Sequence, residues 1–548
     1  MSSEPTQTSG PKARSASVRP SGGPGGVGDE HPIQEMLRIA LPAVVTMMSY
    51  VVMQFVDMLI VSGMGPDALS AVGNGGIAAF VMAAFVFGML GVITTYASQN
   101  LGAGHPERSG AYAWAGLWVS FLAWVGIMLP AALFLGEITA GMRSVLSLES
   151  DPSVARMEIE YGSVLLAGMF FTIAARGTGH FFYGVHRAKT VMVGAILGNV
   201  VNLPLTWCLV FGKFGMPEMG VQGAAIGTVV GSIVEWGVLM VVFLSPAFDR
   251  EFHTRRSWRF SGAHIRDIWR IGWPGGVQLG NELVCWWVFM TGFVANFGVA
   301  HNAAAWITLR YMHVSFMPAF GISTAVTAIV GKKVGQQLPD LAASRAWLGA
   351  RITVIYMGAC ALLFLIFRHE LVGLFVNFAP ADALGAAPAE DVIRIGGQTL
   401  VVAAVMQVFD ALAIIMIGAL RGAGDAIWPG VVTAVTSWLC IVGGGFLASR
   451  MWPAGGSIGP WIAVALYFVA LALLLVYRFQ SGRWRSMAVV QAEKWACIKC
   501  GHDLGGIDPE GACPECGTEC WHSLATGDRP LMPPEAGAGV VPEVAEID

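Results

Sequence analysis

Twelve long apolar segments constrain this chain more than any other feature. Each is about as long as the roughly 20 residues that a helix needs to cross a hydrocarbon core of about 30 Å. The segments lie at residues 36–62, 71–100, 111–136, 156–183, 190–212, 221–246, 269–297, 302–331, 345–367, 391–419, 426–448 and 457–479. We therefore predict an all-α polytopic membrane protein with twelve transmembrane helices.

The composition excludes several other classes of protein. Hydrophobic residues make up 55% of the chain and charged residues only 12%, which is too little charge for an ordinary aqueous surface. A net charge of -4 gives no basic excess for binding nucleic acid phosphates. No nucleophile elbow, phosphate-binding loop or open metal site is recognisable, so we expect neither a nucleic acid partner nor an enzyme.

The two halves of the chain repeat each other. RIALPAVV at the start of helix 1 matches RIGWPGGV at the start of helix 7, and SQNLGAGHPE after helix 2 matches GKKVGQQLPD after helix 8. Pro217, Gly220 and Gly223 before helix 6 match Pro453, Gly456 and Gly459 before helix 12. Because six is an even number of helices, the repeat predicts two parallel six-helix lobes.

The predicted domains follow from this repeat. Residues 33–247 form an N-lobe and residues 269–482 a C-lobe, joined by a cytoplasmic linker at 248–268. Residues 1–32 are rich in Ser, Pro and Gly and are predicted to be a disordered cytoplasmic tail rather than a signal peptide. Residues 483–548 form a second cytoplasmic tail.

The distribution of Lys and Arg predicts the orientation. The side that carries both termini has 21 of these residues in its tails, loops and adjoining helix ends, against 6 on the other side; Arg421 is counted in a loop on the first side. By the positive-inside rule, both termini are cytoplasmic in a multi-pass protein of the cell (inner) membrane.

Ionisable side chains inside the spans are costly and therefore candidate functional groups. Glu282 of helix 7 and Asp410 of helix 10 reach similar depth in the second lobe. If their helices adjoin, the pair could bind a sodium ion through hard oxygen ligands or share a proton. Asp57 of helix 1 is either a second protonatable site, a contact for a cationic substrate or a carboxylate at a helix end.

The other intramembrane groups are interpreted as structural. Two arginines are expected near helix ends or snorkelling, and the rest are expected to be satisfied core groups. These residues are Arg176 and Arg310, and then Glu235, His180 and His313.

The segments LPAVVTMMSYVVMQFVDMLIVSGMG, SQNLGAG, GWPGGVQLGNE and FDALAIIMIGALRGAGD resemble the multidrug and toxic compound extrusion (MATE) family, in its NorM-like branch. The resemblance covers residues 33–482. It implies cation coupling at Glu282 and Asp410, coupling or substrate response at Asp57, and a polar cavity position at Asn202. It also implies a secondary active multidrug exporter that exchanges organic, often cationic, compounds for sodium or protons by alternating access.

Two other functions remain open from the sequence. One is a flippase for a lipid-linked substrate, which would be expected to carry a basic central cavity. The other is a membrane sensor or scaffold that signals through its C-terminal tail.

That tail contains CIKCGHDLGGIDPEGACPECG, with zinc-ribbon spacing at residues 497–516. Four thiolates would fill a tetrahedral structural zinc site, with Cys520 and His522 as possible substitutes; unmetallated thiols are the alternative. The predicted ligands are Cys497, Cys500, Cys513 and Cys516. Because a four-cysteine site has no open coordination position, we expect the ribbon to dock a protein partner or to assist folding rather than to catalyse a reaction.

Overall fold

The structure is a computed structural model that describes residues 31–146, 151–378 and 388–490. Within these ranges the regular structure is helical. The long helices are α1 Pro32–Ser62, α2 Pro66–Gly102, α3 Pro106–Leu133, α4 Pro152–Gly184, α5 Ala188–Phe211, α6 Gly220–Phe243, α7 Gly262–Trp287, α8 Val299–Gly335, α9 Pro339–Ile366, α10 Ala389–Ala423, α11 Ile427–Met451 and α12 Ile458–Gln480.

Eleven helices of the described residues are long and apolar enough to cross a membrane, and α7 is the long helix outside that set. Gln278, Asn281 and Glu282 lie within little more than one turn of α7 and reduce its apolar character. The helix continues as a π-helical stretch over Val288–Phe293. The helix with the weakest apolar signal therefore carries Glu282, one of the predicted site residues.

Most long helices begin earlier than the hydropathy pattern predicts. Proline stands in the first turn of α1, α2, α3, α4 and α9, where its missing N–H leaves no hydrogen bond unmade. These first turns are polar, so apolar content does not mark them. The predicted linker at 248–268 is also partly helical, because a short helix spans Pro246–Phe252 and α7 begins at Gly262.

The repeated sequence motifs occupy equivalent places in the two halves. Gly102 ends α2 and Gly335 ends α8. Gly220 and Gly456 precede or open the sixth helix of each half, and both have left-handed backbone, with φ of 56° and 59°. A side chain is strained in this conformation, which explains why glycine recurs at both positions.

We call α1–α6 the N-lobe and α7–α12 the C-lobe. The membrane side where α1 begins and α12 ends is called the termini face. Helices α2 and α8 also end at this face, because each is the second helix of its lobe.

Candidate functional site

The two predicted carboxylates of the C-lobe belong to one electrostatic cluster. Glu282 of α7 and Asp410 of α10 are within electrostatic range of each other, and Tyr467 of α12 interacts with both. Asp410 is only 8% exposed and Tyr467 only 3%. Helices α7, α10 and α12 therefore build one acidic site inside the C-lobe.

Arg421 is a member of this site that the sequence analysis placed in a loop. Helix α10 continues to Ala423, and the Arg421 guanidinium turns inward, where it donates a hydrogen bond of 2.5 Å to Gln278 Oε1 and interacts with Glu282. The hydropathy pattern failed here because a charge near a helix end looks the same whether it faces water or protein. The loop assignment of Arg421 was wrong.

A row of hydrogen bonds fixes the polar face of α7 against α11. Gln278 Nε2 donates to Thr433 Oγ1 at 3.2 Å, and Asn281 Nδ2 donates to Ser437 Oγ at 2.8 Å. Trp438 Nε1 donates to Asn281 Oδ1 at 2.7 Å. Ser437 opens a π-helical stretch that runs to Gly444, a kind of irregularity that is frequent at functional sites. Glu282 thus lies on a helix whose rotation is set by its neighbours.

The donor set of the C-lobe site suits a hard cation or a proton. Gln407 lies one turn before Asp410; its Nε2 donates to Ser315 Oγ, and its Oε1 is buried without a hydrogen-bond partner among the described residues. Carboxylate and amide oxygens are ligands for alkali and alkaline-earth ions. Among the described residues, no three or more His, Cys, Asp or Glu side chains lie close enough together to hold a metal ion. Nothing in that part of the chain therefore indicates a transition-metal centre.

Asp57 and Asn202 form a separate polar site in the N-lobe. Asn202 of α5 is fully buried and lies beside Asp57 of α1, with Tyr161 of α4 also in range. One carboxylate oxygen of Asp57 and both amide atoms of Asn202 are buried without a hydrogen-bond partner in the part of the chain that the structure describes. Asp57 is therefore not a solvated carboxylate at a helix end.

A third buried cluster in the N-lobe joins Tyr50, Arg176 and Glu235. The Tyr50 hydroxyl donates to Glu235 Oε1 at 2.5 Å, and the Arg176 guanidinium lies 4.0 Å from the centre of the Tyr50 ring. Glu235 is thus hydrogen-bonded, as expected of a core group. Arg176 was expected near a helix end or snorkelling; instead it turns into the lobe, because Glu235 and the Tyr50 ring stabilise its charge there.

The remaining ionisable groups of the spans have modest contacts. His180 Nδ1 lies 3.1 Å from Thr94 Oγ1, and His313 packs edge-on against the Phe316 ring. Arg310 is exposed and contacts Met58 Sδ at 4.0 Å. The contacts of His180 and Arg310 fit the structural roles expected of them. His313 was expected to be a satisfied core group, but its Nε2 is buried without a hydrogen-bond partner among the described residues.

The two lobes meet closely at the termini face. A Cβ placed on Gly102 would overlap the carbonyl oxygen of Lys332, and one placed on Gly335 would overlap the carbonyl oxygen of Gln99. The two contacts are reciprocal, since the repeat aligns Gln99 with Lys332 and Gly102 with Gly335. Only glycine permits this approach of α2 and α8.

Further close contacts between the lobes, also at glycines, lie deeper in the membrane than Gly102 and Gly335. A Cβ on Gly275 of α7 would lie 2.6 Å from the carbonyl oxygen of Gly88 in α2. A Cβ on Gly321 of α8 would lie 2.7 Å from the backbone nitrogen of Val44 in α1. The lobes therefore touch along two related helix pairs, and the termini face is closed.

Gln99 ties the closed face together. Its Nε2 donates to the carbonyl oxygen of Gly422 in the C-lobe at 2.9 Å. Its Oε1 accepts backbone hydrogen bonds from Val489 and Val490, at 2.8 and 3.1 Å. The segment after α12 thus crosses the seam between the lobes. The structure describes this segment as far as residue 490. The N-terminal tail before residue 31 and the predicted zinc ligands lie outside the described residues; these ligands are Cys497, Cys500, Cys513 and Cys516.

Two repeated helical lobes with buried carboxylates inside them define the protein as a polytopic α-helical membrane protein with candidate ion sites. The family model described as MatE matches residues 42–208 and 281–446, once in each lobe. The chain belongs to the MatE family.

Curated relatives cover most of the chain. "Probable multidrug resistance protein NorM" of Pseudomonas syringae pv. tomato is 28% identical over 466 residues, covering 84% of this chain and 96% of the relative. The protein of the same name from Thermotoga maritima is 26% identical over 474 residues, with coverage of 84% and 95%. The NorM-like resemblance predicted from the sequence is confirmed.

Solved structures show the same fold. A transporter of the MOP superfamily from Pyrococcus furiosus matches with a TM-score of 0.74 at 20% identity, covering 84% of this chain and 97% of that one. An outward-facing multidrug resistance MATE family transporter matches with a TM-score of 0.72 at 20% identity, with coverage of 83% and 97%.

Proposed function

We propose that the protein is a secondary active exporter of small organic, often cationic, compounds, driven by sodium or proton entry through alternating access. The observation that carries this proposal is that Asp410, which is buried, interacts with Glu282, which is partly buried, in a lobe that meets its partner lobe through glycine contacts at one face. The NorM relatives, which are named for multidrug resistance, support the same function.

We further propose that α7 is the twelfth transmembrane helix and that the termini face is cytoplasmic. Helix α7 lies between α2 and α11, both of which belong to the apolar set, and its polar residues face hydrogen-bond partners in α11. The excess of Lys and Arg on the side of the termini supports the orientation. The state described here is then closed to the cytoplasm.

In this mechanism the C-lobe carboxylates exchange a cation between the two sides of the membrane. Two neighbouring carboxylates in a site of low polarity repel each other unless a proton or a sodium ion neutralises one of them. Arg421 offers part of the compensation to Glu282 from the side of the termini face. Binding and release of the cation would thus change the charge balance between Glu282, Asp410 and Arg421 and bias the packing of α7 and α10.

Asp57 and Asn202 are proposed as the corresponding polar site of the N-lobe. Their buried atoms without hydrogen-bond partners are ready to bind a cation or a cationic group of the substrate. Because their neighbours belong to α1, α4 and α5, this site can respond independently of the one in the C-lobe.

The alternative functions receive less support. A flippase for lipid-linked substrates would be expected to carry a basic central cavity. Of the three arginines discussed above, Arg176 and Arg421 are each engaged by neighbouring groups within their own lobe, and only Arg310 is exposed. A sensor or scaffold would have no use for buried carboxylates in the membrane. Export is tested by dye efflux from proteoliposomes under imposed sodium or proton gradients.

We also propose a structural zinc site at Cys497, Cys500, Cys513 and Cys516. Purified full-length protein should contain about one zinc per chain, because four thiolates fill the tetrahedral coordination of the ion. Metal analysis measures the zinc content per chain of the wild type and of the double variant Cys513→Ser, Cys516→Ser, which should lose its zinc. The variant Cys208→Ser, Cys440→Ser, which removes two single cysteines of the membrane helices, is the matched control and should keep its zinc. A wild type without zinc would refute the site.

A further inference from the structure

A groove lies at the termini face, between the beginning of α3 and the segment that joins α6 to α7. It has a volume of about 260 Å³. Its lining consists of Ala111 and Ala115 from α3, and Ser257, Arg259, Ser261 and His264 from the connecting segment and the first turn of α7. The alanines give an apolar floor, and the other four residues supply a cation, an imidazole and two hydroxyl groups. No role in export has been assigned to any of them.

The groove lies at the depth of the lipid headgroups. Helix α3 has 28 residues and is about 42 Å long, roughly 12 Å longer than the hydrocarbon core, so that its first turns extend beyond the core. Ala111 and Ala115 belong to the first ten residues of α3. Beside them, Trp258 and Phe260 are 55% and 58% exposed. Exposed aromatic rings of this kind are typical of the boundary between headgroups and acyl chains.

The connecting segment is held firmly against α3. Trp114 Nε1 donates to the carbonyl oxygen of Thr254 at 2.6 Å, and Trp118 Nε1 donates to that of Trp258 at 3.1 Å. The Trp118 ring also packs edge-on against the Phe260 ring, with 5.8 Å between the centroids. The groove is therefore a fixed feature of this surface.

Acidic side chains close to the segment are already engaged. Glu251 pairs with Arg187 at 3.6 Å, and Asp249 Oδ1 accepts the backbone N–H of Arg255 at 2.8 Å. Asp267 Oδ2 accepts a hydrogen bond from the Tyr112 hydroxyl at 3.2 Å. Arg259 is exposed and has no acidic partner within 4 Å among the described residues, so its charge is available to a ligand.

We propose that this groove binds the phosphodiester headgroup of an anionic membrane lipid. The Arg259 guanidinium donates to the phosphate oxygens, as arginine forks commonly do. Ser261 Oγ lies 2.7 Å from His264 Nδ1; when it accepts from that nitrogen, its own hydrogen is left for a phosphate oxygen. The Ser257 hydroxyl donates to the carbonyl oxygen of His253 at 2.9 Å and only lines the groove. The two alanines leave space for the glycerol, and the exposed aromatic rings flank the acyl chains. A lipid bound here joins α3 of the N-lobe to the segment that leads into α7 of the C-lobe.

The test compares lipid retention by full-length protein variants. Native mass spectrometry of protein extracted from vesicles that contain equal phosphatidylglycerol and phosphatidylcholine counts the lipids that remain bound. Arg259→Gln should reduce retained phosphatidylglycerol about fivefold, the effect expected of one arginine near an anionic surface. Ser261→Ala should also reduce it without any change in charge, whereas Ser257→Ala, which removes a hydroxyl already bonded to His253, should not.

Arg256→Gln is the matched control, because it removes one exposed arginine from the same segment outside the groove. It should leave retention almost unchanged. Equal losses in the Arg256 and Arg259 variants would show a diffuse charge effect and overturn the proposal, as would full retention in the Arg259 variant. A wild type that retains both lipids equally, or releases phosphatidylglycerol to millimolar inorganic phosphate, would overturn the assignment to a lipid headgroup.

Discussion

Glu282→Gln and Asp410→Asn should each reduce gradient-driven efflux to the level of vesicles without protein. Each substitution keeps the size of the side chain and its capacity for hydrogen bonds, but removes the charge that a sodium ion or proton must neutralise. The measurement is the rate of dye efflux from proteoliposomes after a gradient is imposed. The amount of inserted protein, measured on the same vesicles, should not change.

Glu160→Gln is the matched control for these variants. Glu160 also lies on a long helix but pairs with Arg156 at 2.8 Å on an exposed surface, far from the polar face of α7 in sequence and packing. Efflux by this variant should equal that of the wild type. If Glu282→Gln and Asp410→Asn both retained gradient-dependent efflux, the coupling role of the pair would be wrong.

Gly335→Ala should disfavour closure of the termini face and should reduce efflux by at least about fivefold. The added Cβ would overlap the carbonyl oxygen of Gln99, which belongs to the helix backbone of the other lobe and cannot move alone. Overpacking of this kind costs about 1–3 kcal/mol, which corresponds to roughly a 5- to 150-fold shift away from the closed state. Labelling of cysteines introduced beside the seam at this face should become faster.

Gly358→Ala controls for the loss of a glycine from a C-lobe helix. Gly358 lies in the middle of α9, and a Cβ there would meet no heavy atom within 4 Å. This variant should transport at the same rate as the wild type, and its stability should be equal to or slightly higher than that of the wild type. Normal transport and normal labelling in Gly335→Ala would mean that close contact at this glycine is unnecessary for the cycle.

The sequence predicted the helices and the residues of the sites better than it predicted side-chain orientation. Long apolar runs locate membrane helices because the bilayer imposes their length. Charged residues within such runs stand out because their cost is high, and this identified Glu282, Asp410 and Asp57. The repeat of Gly102 and Gly335 also proved meaningful, since both glycines lie at the contact between the lobes.

The roles of residues near helix ends were harder to predict from the sequence. Arg421 lies two residues before the end of α10, and Gln99 three residues before the end of α2, so neither stands out from an ordinary loop-proximal residue. Gln99 matters because it contacts the other lobe, and Arg421 because it contacts α7. The order of residues along the chain does not show such contacts. Tyr50 and Tyr467 were missed because aromatic residues are common in membrane helices and their hydroxyls add little to hydropathy.

The most direct test of ion-driven export uses purified protein in proteoliposomes loaded with a panel of cationic dyes. Sodium and proton gradients are imposed separately and together, with an ionophore control that dissipates each gradient. We expect one of the two gradients to drive efflux of several dyes, and the effect to vanish in Glu282→Gln. Efflux that proceeds equally with no gradient, or no efflux of any dye under either gradient, would contradict the proposed function.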